Sequence, residues 1–402
     1  LAEGQLYAND PLHVKKEIAW LNEATTAELQ AVANRWLSKN YYQLTVEPFP
    51  DLAPAAATVD RSSIPEVTEV SGIEFPEIDT AILDNGMRLV VARRGTIPLV
   101  DVSIQLNTGN MANPSEAPGT ASAVFGLMTE GTKRFDANEL AAELDRIAMT
   151  PRISAGLERS TFGFRILRTH LDESFELAAE MLRNPTYPEH ELDKIKQQLF
   201  AVLATIEKNP SRFASSLFNR AVYGEENPLG MVWTPELVRD FSVETIREFH
   251  AREVAPDNMT VFMIGDISME EARASVEDAF GDWKDKAESG LRPVGKAAER
   301  QARVILVDQP DAPQSTIIAG HAIGPYDAGI SSELTLVNGV FGGSFESRIN
   351  MNLREDKSWS YGARSRVARN ASGDQTFAVS GSVQTDKTME SMQEIRRELE
   401  EF

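Results

Sequence analysis

An internal repeat limits the fold of this chain more than any other feature. Thr25-Thr-Ala-Glu-Leu places Glu28 three residues after Thr25, the spacing of a helix capping box, and Leu29, Val32, Ala33 and Trp36 continue as a helical stripe. Tyr42 to Val46 then reads as a strand. The same order returns with Ser242 as cap, Ile246, Phe249 and His250 on the stripe, Asn258 at the helix end and Thr260 to Ile264 as the strand, 242 − 25 = 217 residues later. A second pair agrees: Arg88-Leu-Val-Val-Ala with Pro98 is matched by Arg303-Val-Ile-Leu-Val with Pro313, 303 − 88 = 215 residues on. Such a period means copies of one structural unit.

The period also sets boundaries. Residues 1–50 form the tail of one copy, 51–77 a Pro/Ala-rich connection, 78–285 a complete copy, 286–301 a shorter polar linker, and 302–402 the first half of another copy. Pro48, Pro50, Pro54, Pro65 and Pro76, with Ala55-Ala56-Ala57, favour an extended connection. In the complete copy Asp84-Asn85-Gly86 lies between apolar runs and marks a hairpin, with strands expected at Arg88 to Ala92 and Val100 to Leu106. Helical periods follow at Ala137 to Ile147, Leu171 to Leu182 and His190 to Ile206. Strands first, helices after and a closing strand make an α+β fold: a repeated two-layer sandwich with a mainly antiparallel sheet packed by helices. The pattern is already helical at both ends, so the chain reads as a fragment of a longer polypeptide.

The chain has 402 residues, more than one core usually serves, which agrees with several domains. Its 61 Asp and Glu against 40 Lys and Arg leave a net charge of −21, which argues against a nucleic-acid partner. There are no cysteines, and so no disulfides, thiolate nucleophiles or cysteine metal ligands. No apolar run approaches the roughly 18 residues of a membrane span. The compartment stays open, since cysteine-free proteins occur on both sides of a bacterial inner membrane.

The chemistry concentrates between Phe341 and Arg364. Gly342-Gly343 breaks what precedes, Ser344 is the expected cap, Glu346 suits the positive end of a helix dipole, and Phe345, Ile349 and Leu353 recur every four residues as a buried stripe. From Trp359 the pattern alternates through Tyr361, Ala363 and Ser365, a strand. Arg354 therefore ends a helix, and Tyr361 opens a strand seven residues later. The frame of Phe341, Gly342, Gly343, Ser347, Arg348, Ile349, Leu353, Arg354, Glu355, Tyr361 and Gly362 resembles the C-terminal half of pitrilysin or insulinase-type zinc peptidases.

That resemblance implies a clamshell of two halves around a peptide, with zinc in one half and an Arg/Tyr pair, here Arg354 and Tyr361, supplied by the other. The family's His-x-x-Glu-His helix places two histidines on one face and a glutamate between them. The corresponding positions here are Ser122, Phe125 and Gly126, between Gly119 and Gly131, and none can serve. The third ligand position falls near Val202, which is apolar. No metal is therefore expected in this fragment, and zinc is expected in a partner half, on the same polypeptide or another. His170-x-x-Glu173 is followed by Ser174 and reads as a solvated pair; His190 belongs to a helix start, and His13, His250 and His321 have no second histidine four residues away. No phosphate loop, dinucleotide fingerprint or serine elbow occurs.

The expected role is the non-catalytic, substrate-binding half of a zinc metalloendopeptidase. The alternatives are an inert assembly protein of the same fold and a stand-alone peptide-binding module. One prediction follows from composition alone: in limited proteolysis with mass mapping, first cuts fall within 48–76, where little periodic apolar content is available for burial. First cuts within 100–280 would contradict the boundary.

Overall fold

A computed structural model describes residues 1–38, 44–45, 75–95, 97–206, 208–288, 290–297, 302–310, 312–370 and 373–402. Apart from Leu44 and Thr45, the strand expected over Tyr42–Val46 lies outside the described residues, as does most of the 51–77 connection. The chain divides into two compact units, Leu1–Ile73 and Glu74–Phe402.

The first unit carries α1 (Ala2–Ala8), α2 (His13–Glu23) and α3 (Thr26–Trp36). The capping box forms as its spacing requires: Thr25 Oγ1 accepts from the Glu28 amide at 3.3 Å, and the Glu28 carboxylate accepts from the Thr25 amide at 2.9 Å. Leu29, Val32 and Trp36 are exposed.

In the second unit, β1 (Ile78–Ile82), β2 (Arg88–Arg93), β3 (Leu99–Leu106), β4 (Arg152–Ala155), β5 (Ser160–Leu167) and β6 (Met259–Gly265) make one sheet in the order β1-β2-β6-β3-β5-β4. Only the β2–β6 pairing is parallel. The Asp84-Asn85-Gly86 turn joins β1 to β2, with Gly86 at φ 90°, a conformation that disfavours any other residue. Val100, Val102, Ile104 and Leu106 on β3 and Met259, Val261 and Met263 on β6 face one side and are buried.

Helices α4 (Thr120–Gly126), α5 (Ala137–Arg146), α6 (Leu171–Arg183), α7 (Glu189–Ile206), α8 (Pro210–Tyr223), α9 (Pro235–Asp240), α10 (Val243–Glu253) and α11 (Met269–Phe280) complete this lobe, and α4, α5, α6, α10 and α11 contribute to the same core. Phe162, Phe164, Phe175, Phe280 and Trp283 run through it as a chain of ring contacts 5.8–6.3 Å apart. The repeat is visible in the caps, since Ser242 Oγ accepts from the Thr245 amide at 3.3 Å at the start of α10. That helix ends at Glu253, five residues before the expected Asn258, because Pro256 has no amide to continue it and opens a separate 3-10 turn.

A second sheet, β7 (Gln314–Pro325), β8 (Ser360–Ala368) and β9 (Asp374–Gln384), is antiparallel in the order β7-β9-β8. It packs beneath α12 (Ser331–Asn338), α13 (Arg348–Asn350) and α14 (Thr388–Glu401) around Ile317, Phe341, Ile349, Leu353, Ala363, Val379, Val383 and Ile395. The strand expected at Arg303 to Val307 does not form, and Val304 and Leu306 are exposed. Residues 286–297, read as a linker, are held against the first lobe. Val294 is buried with Met111 and Tyr223, and Arg292 donates to Ala112 O at 3.1 Å and to the buried Glu253 at 2.8 Å. Asp374 at the start of β9 donates its amide to Gly295 O at 2.8 Å, which joins this strap to the second sheet. No helix among the described residues is long and apolar enough to cross a membrane.

Adjacent residues of β5 provide a test. Phe164→Ala empties a fully buried ring site and should cost about 3–5 kcal/mol in urea unfolding. Arg165→Ala, which removes an exposed pair with Asp101, should leave the midpoint within error. Equal effects would contradict the assignment of β5's inner face.

Candidate functional site

Arg354 and Tyr361 come together on the second sheet, through a helix end unlike the one expected. Residues Gly339–Gly343 continue α12 as a widened, π-type turn closed by the Ser344 amide on Gly339 O at 3.2 Å. The glycines permit close packing rather than ending the helix: a Cβ on Gly342 would lie 2.3 Å from Ser365 Oγ on β8. Ser344 is extended and caps nothing, Glu346 lies ahead of the helix, and α13 starts after Ser347. Of the expected stripe, Ile349 and Leu353 are buried, whereas Phe345 is 53% exposed. Its ring has another use.

Beyond Asn350 the helix widens again into a π-type stretch, Met351–Asp356, with the Lys357 amide on Asn352 O at 3.0 Å. Arg354 projects from this stretch, and its guanidinium carbon lies 4.5 Å from the centre of the Phe345 ring and 5.2 Å from that of Tyr361. The cation is thus held between two aromatic faces. Its Nε meets Glu355 at 3.2 Å, and its two terminal nitrogens make no hydrogen bond among the described residues. Phe345 also lies 5.8 Å from the guanidinium of Arg364, so the row runs Tyr361, Arg354, Phe345, Arg364.

Two buried polar groups set this row. The pairing of β8 with β9 shifts register between Ser360 and Ala363, a bulge that turns Tyr361 out of the ladder; Tyr361 is 86% exposed. Ser360 Oγ donates to Ser382 O at 2.7 Å and accepts from the Gly362 amide at 3.1 Å, which closes the bulge. Asn350 is fully buried; its Nδ2 donates to Phe345 O at 2.6 Å and its Oδ1 accepts from the Ala363 amide at 3.1 Å. One amide therefore ties the segment bearing Phe345 to the strand bearing Tyr361. Behind it, Asn352 donates to Glu394 at 2.8 Å and Glu398 at 2.7 Å, and Arg348 meets Glu398 at 3.0 Å. Burial acts to raise the Glu398 carboxyl, but the bonds from Asn352 and Arg348 outweigh it and hold the group below its usual range.

Sequence reading missed Phe345, Asn350 and Arg364. An asparagine next to the buried Ile349 was a legible signal, since a buried amide needs partners on both its atoms. Arg364 shares the edge strand β8 with Arg366 and is singled out by its contact with the Phe345 ring.

The helix carrying Ser122, Phe125 and Gly126 forms, and these residues do not suit a metal. Phe125 is buried in the core, Gly126 has no side chain, and Ser122 Oγ donates to Asn110 Oδ1 at 3.1 Å. Asn110 in turn donates to Gly156 O at 3.0 Å, and Asn113 Oδ1 accepts from the Ala121 amide at 2.8 Å. Hydrogen bonds among neutral groups thus join this helix to its surroundings. Val202 is half-buried on α7. No cluster of three or more His, Asp or Glu suited to a metal occurs among the described residues. His170 pairs with Glu173 at 3.3 Å and His190 with Glu191 at 3.2 Å, both on the surface. His250 Nε2 donates to Leu182 O at 2.8 Å beside Tyr187, and burial pushes its imidazole below the usual range, with Lys133 adding to the effect.

Elemental analysis of protein washed with chelator and reloaded with zinc should find no stoichiometric metal. One tightly held zinc per chain would overturn this account of α4.

Comparison with known proteins bears on the family. Residues 88–231 match the family model described as insulinase (peptidase family M16), and residues 240–402 match the model of the peptidase M16 inactive domain. An uncharacterized zinc protease of Bacillus subtilis, YmxG, is 26% identical over 283 residues, 69% of this chain and 67% of that one. A Helicobacter pylori protein called a non-peptidase homolog is 20% identical over 287 residues, 69% of this chain and 65% of that one. The crystal structure of a peptidase M16 inactive domain from Pseudomonas fluorescens superposes with a TM-score of 0.72 at 19% identity, covering 81% of this chain and 79% of that one. The two family models between them take in every strand of the second unit but β1, and the chain belongs to the pitrilysin/insulinase-type metallopeptidase family.

Proposed function

We propose that this chain is the non-catalytic, substrate-binding half of a zinc-dependent metalloendopeptidase, which presents Arg354 and Tyr361 to the active site of a zinc-bearing half. The observation that carries this reading is the Arg354 guanidinium, clamped between Phe345 and Tyr361 with its terminal nitrogens unbonded among the described residues, beside a tyrosine that is 86% exposed. Tyr361 lines neither the cleft around Leu99, Thr150 and Arg165 nor that around Lys133, Arg183 and His250, and it is 86% exposed. The pair thus stands on open surface, as suits groups that complete a site only when a second surface faces them.

The chemistry follows from the geometry. A guanidinium fixed between rings loses little further freedom on binding, so its terminal nitrogens can receive a peptide carbonyl or carboxylate at low entropic cost. Tyr361 has no hydrogen-bond partner among the described residues for its hydroxyl, which can donate to the scissile carbonyl as that oxygen becomes an oxyanion. A bond that strengthens only as charge develops lowers the barrier rather than the dissociation constant. The hydrolytic metal belongs to the other half in this reading, because Ser122, Phe125 and Gly126 supply no ligands. A purely structural role accounts equally for the lost ligands, but it gives no reason for a rigid cation beside an unpartnered phenol.

In the assembled enzyme, Tyr361→Phe should lower kcat about a hundredfold with little change in KM, the usual effect of removing one oxyanion donor. Arg354→Ala should raise KM as well. Steady-state kinetics on a fluorogenic peptide, with thermal melts of each variant, checks both. An unchanged kcat in a folded Tyr361→Phe enzyme would return the pair to a structural role.

A further inference from the structure

We propose that the surface around Arg354 and Tyr361 selects peptides with an acidic side chain, whose carboxylate is received by Arg364. The proposal rests on the substrate-binding reading above and names the substrate class of that same site.

The first observation is charge. Residues 357–373 carry Lys357, Arg364, Arg366 and Arg369 and no acid, in a chain whose acids outnumber its bases 61 to 40. The second is placement. Ala363 and Ser365 point into the packed face of β8, and Arg364 and Arg366 alternate with them on the exposed face. Arg364, Arg366 and Arg369 form no ion pair among the described residues, and neither does Glu346, the acid next to Phe345. The basic face therefore has no internal counter-charge.

The third observation is that Arg364 is held in place. One terminal nitrogen donates to Ser344 O at 3.1 Å, and the guanidinium lies 5.8 Å from the Phe345 ring. Its Nε and other terminal nitrogen have no partner among the described residues, which leaves one edge of the planar fork open. Two parallel N–H donors on a fixed plane match a carboxylate, and they match an amide poorly because one amide atom is itself a donor. Arg364 lies three residues along β8 from Tyr361, roughly 10 Å at most in an extended strand. The acidic side chain would accordingly sit two or three residues from the bond that Tyr361 attends. Arg366, next on the same face, adds long-range attraction for acidic peptides.

The test measures binding of labelled peptides to the full chain by fluorescence anisotropy, using a peptide pair identical except for one Glu in place of Gln. The Glu peptide should bind roughly fivefold more tightly, and the preference should shrink as salt rises. Arg364→Gln should bring the ratio to about one, and Arg364→Lys should restore it only in part because the fork is lost. A ratio near one in the unaltered chain, or a preference that survives Arg364→Gln, overturns the proposal. Arg354→Ala separates the two readings. If it weakens both peptides while the unaltered chain shows no Glu preference, the acidic class fails and the substrate-binding reading stands. If neither peptide binds the unaltered chain even when it is associated with the zinc-bearing half, both fail.

Discussion

One buried amide determines whether this surface can do chemistry. Asn350 sits with no exposure in the apolar layer beneath β8, where an unpartnered amide would cost about 1–3 kcal/mol. It is satisfied on one side by the backbone carbonyl of Phe345 and on the other by the amide of Ala363, just past the bulge. Two segments 13 residues apart are thereby fixed to each other, |350 − 363| = 13. The rings of Phe345 and Tyr361, one from each segment, then enclose Arg354. Without the amide the two walls would have no common anchor, and the guanidinium would become an ordinary mobile side chain at a helix end.

The first lobe shows a helix held by its core contacts alone. α4 keeps its place against α10 and β4, its inner face still filled by Val124 and Phe125. On another face Ser122 Oγ donates to Asn110 Oδ1. The helix is retained because its core contacts, rather than any ion, hold it.

Much of this architecture was legible in the sequence because its signals are local. The capping boxes, the Asp84-Asn85-Gly86 hairpin and the alternation of β3 depend on residues within a few positions of one another, and each forms. The helical start at Ser344 failed because Gly342 answers to Ser365, a neighbour distant in sequence whose closeness no local pattern encodes. The strand at Arg303 to Val307 failed for a related reason: a pattern specifies a strand's faces but not its hydrogen-bond partner. In the candidate site, the Arg354–Tyr361 spacing was readable, whereas the service of Phe345 as a wall and of Asn350 as a tie depends on a π-type turn and a bulge. Both irregularities break the periods by which sequence is read.

The central claim is that Arg354 and Tyr361 act across an interface, in an active site whose metal lies in another half. It is tested most directly by reconstitution: the isolated zinc-bearing half is assayed on a fluorogenic peptide with increasing amounts of this chain, and association is followed in parallel by analytical ultracentrifugation. The account predicts a saturable rise in hydrolysis with the unaltered chain, and association without that rise for the double variant Arg354→Ala/Tyr361→Phe. Full activity of the zinc-bearing half alone, or equal activation by the double variant, would contradict it.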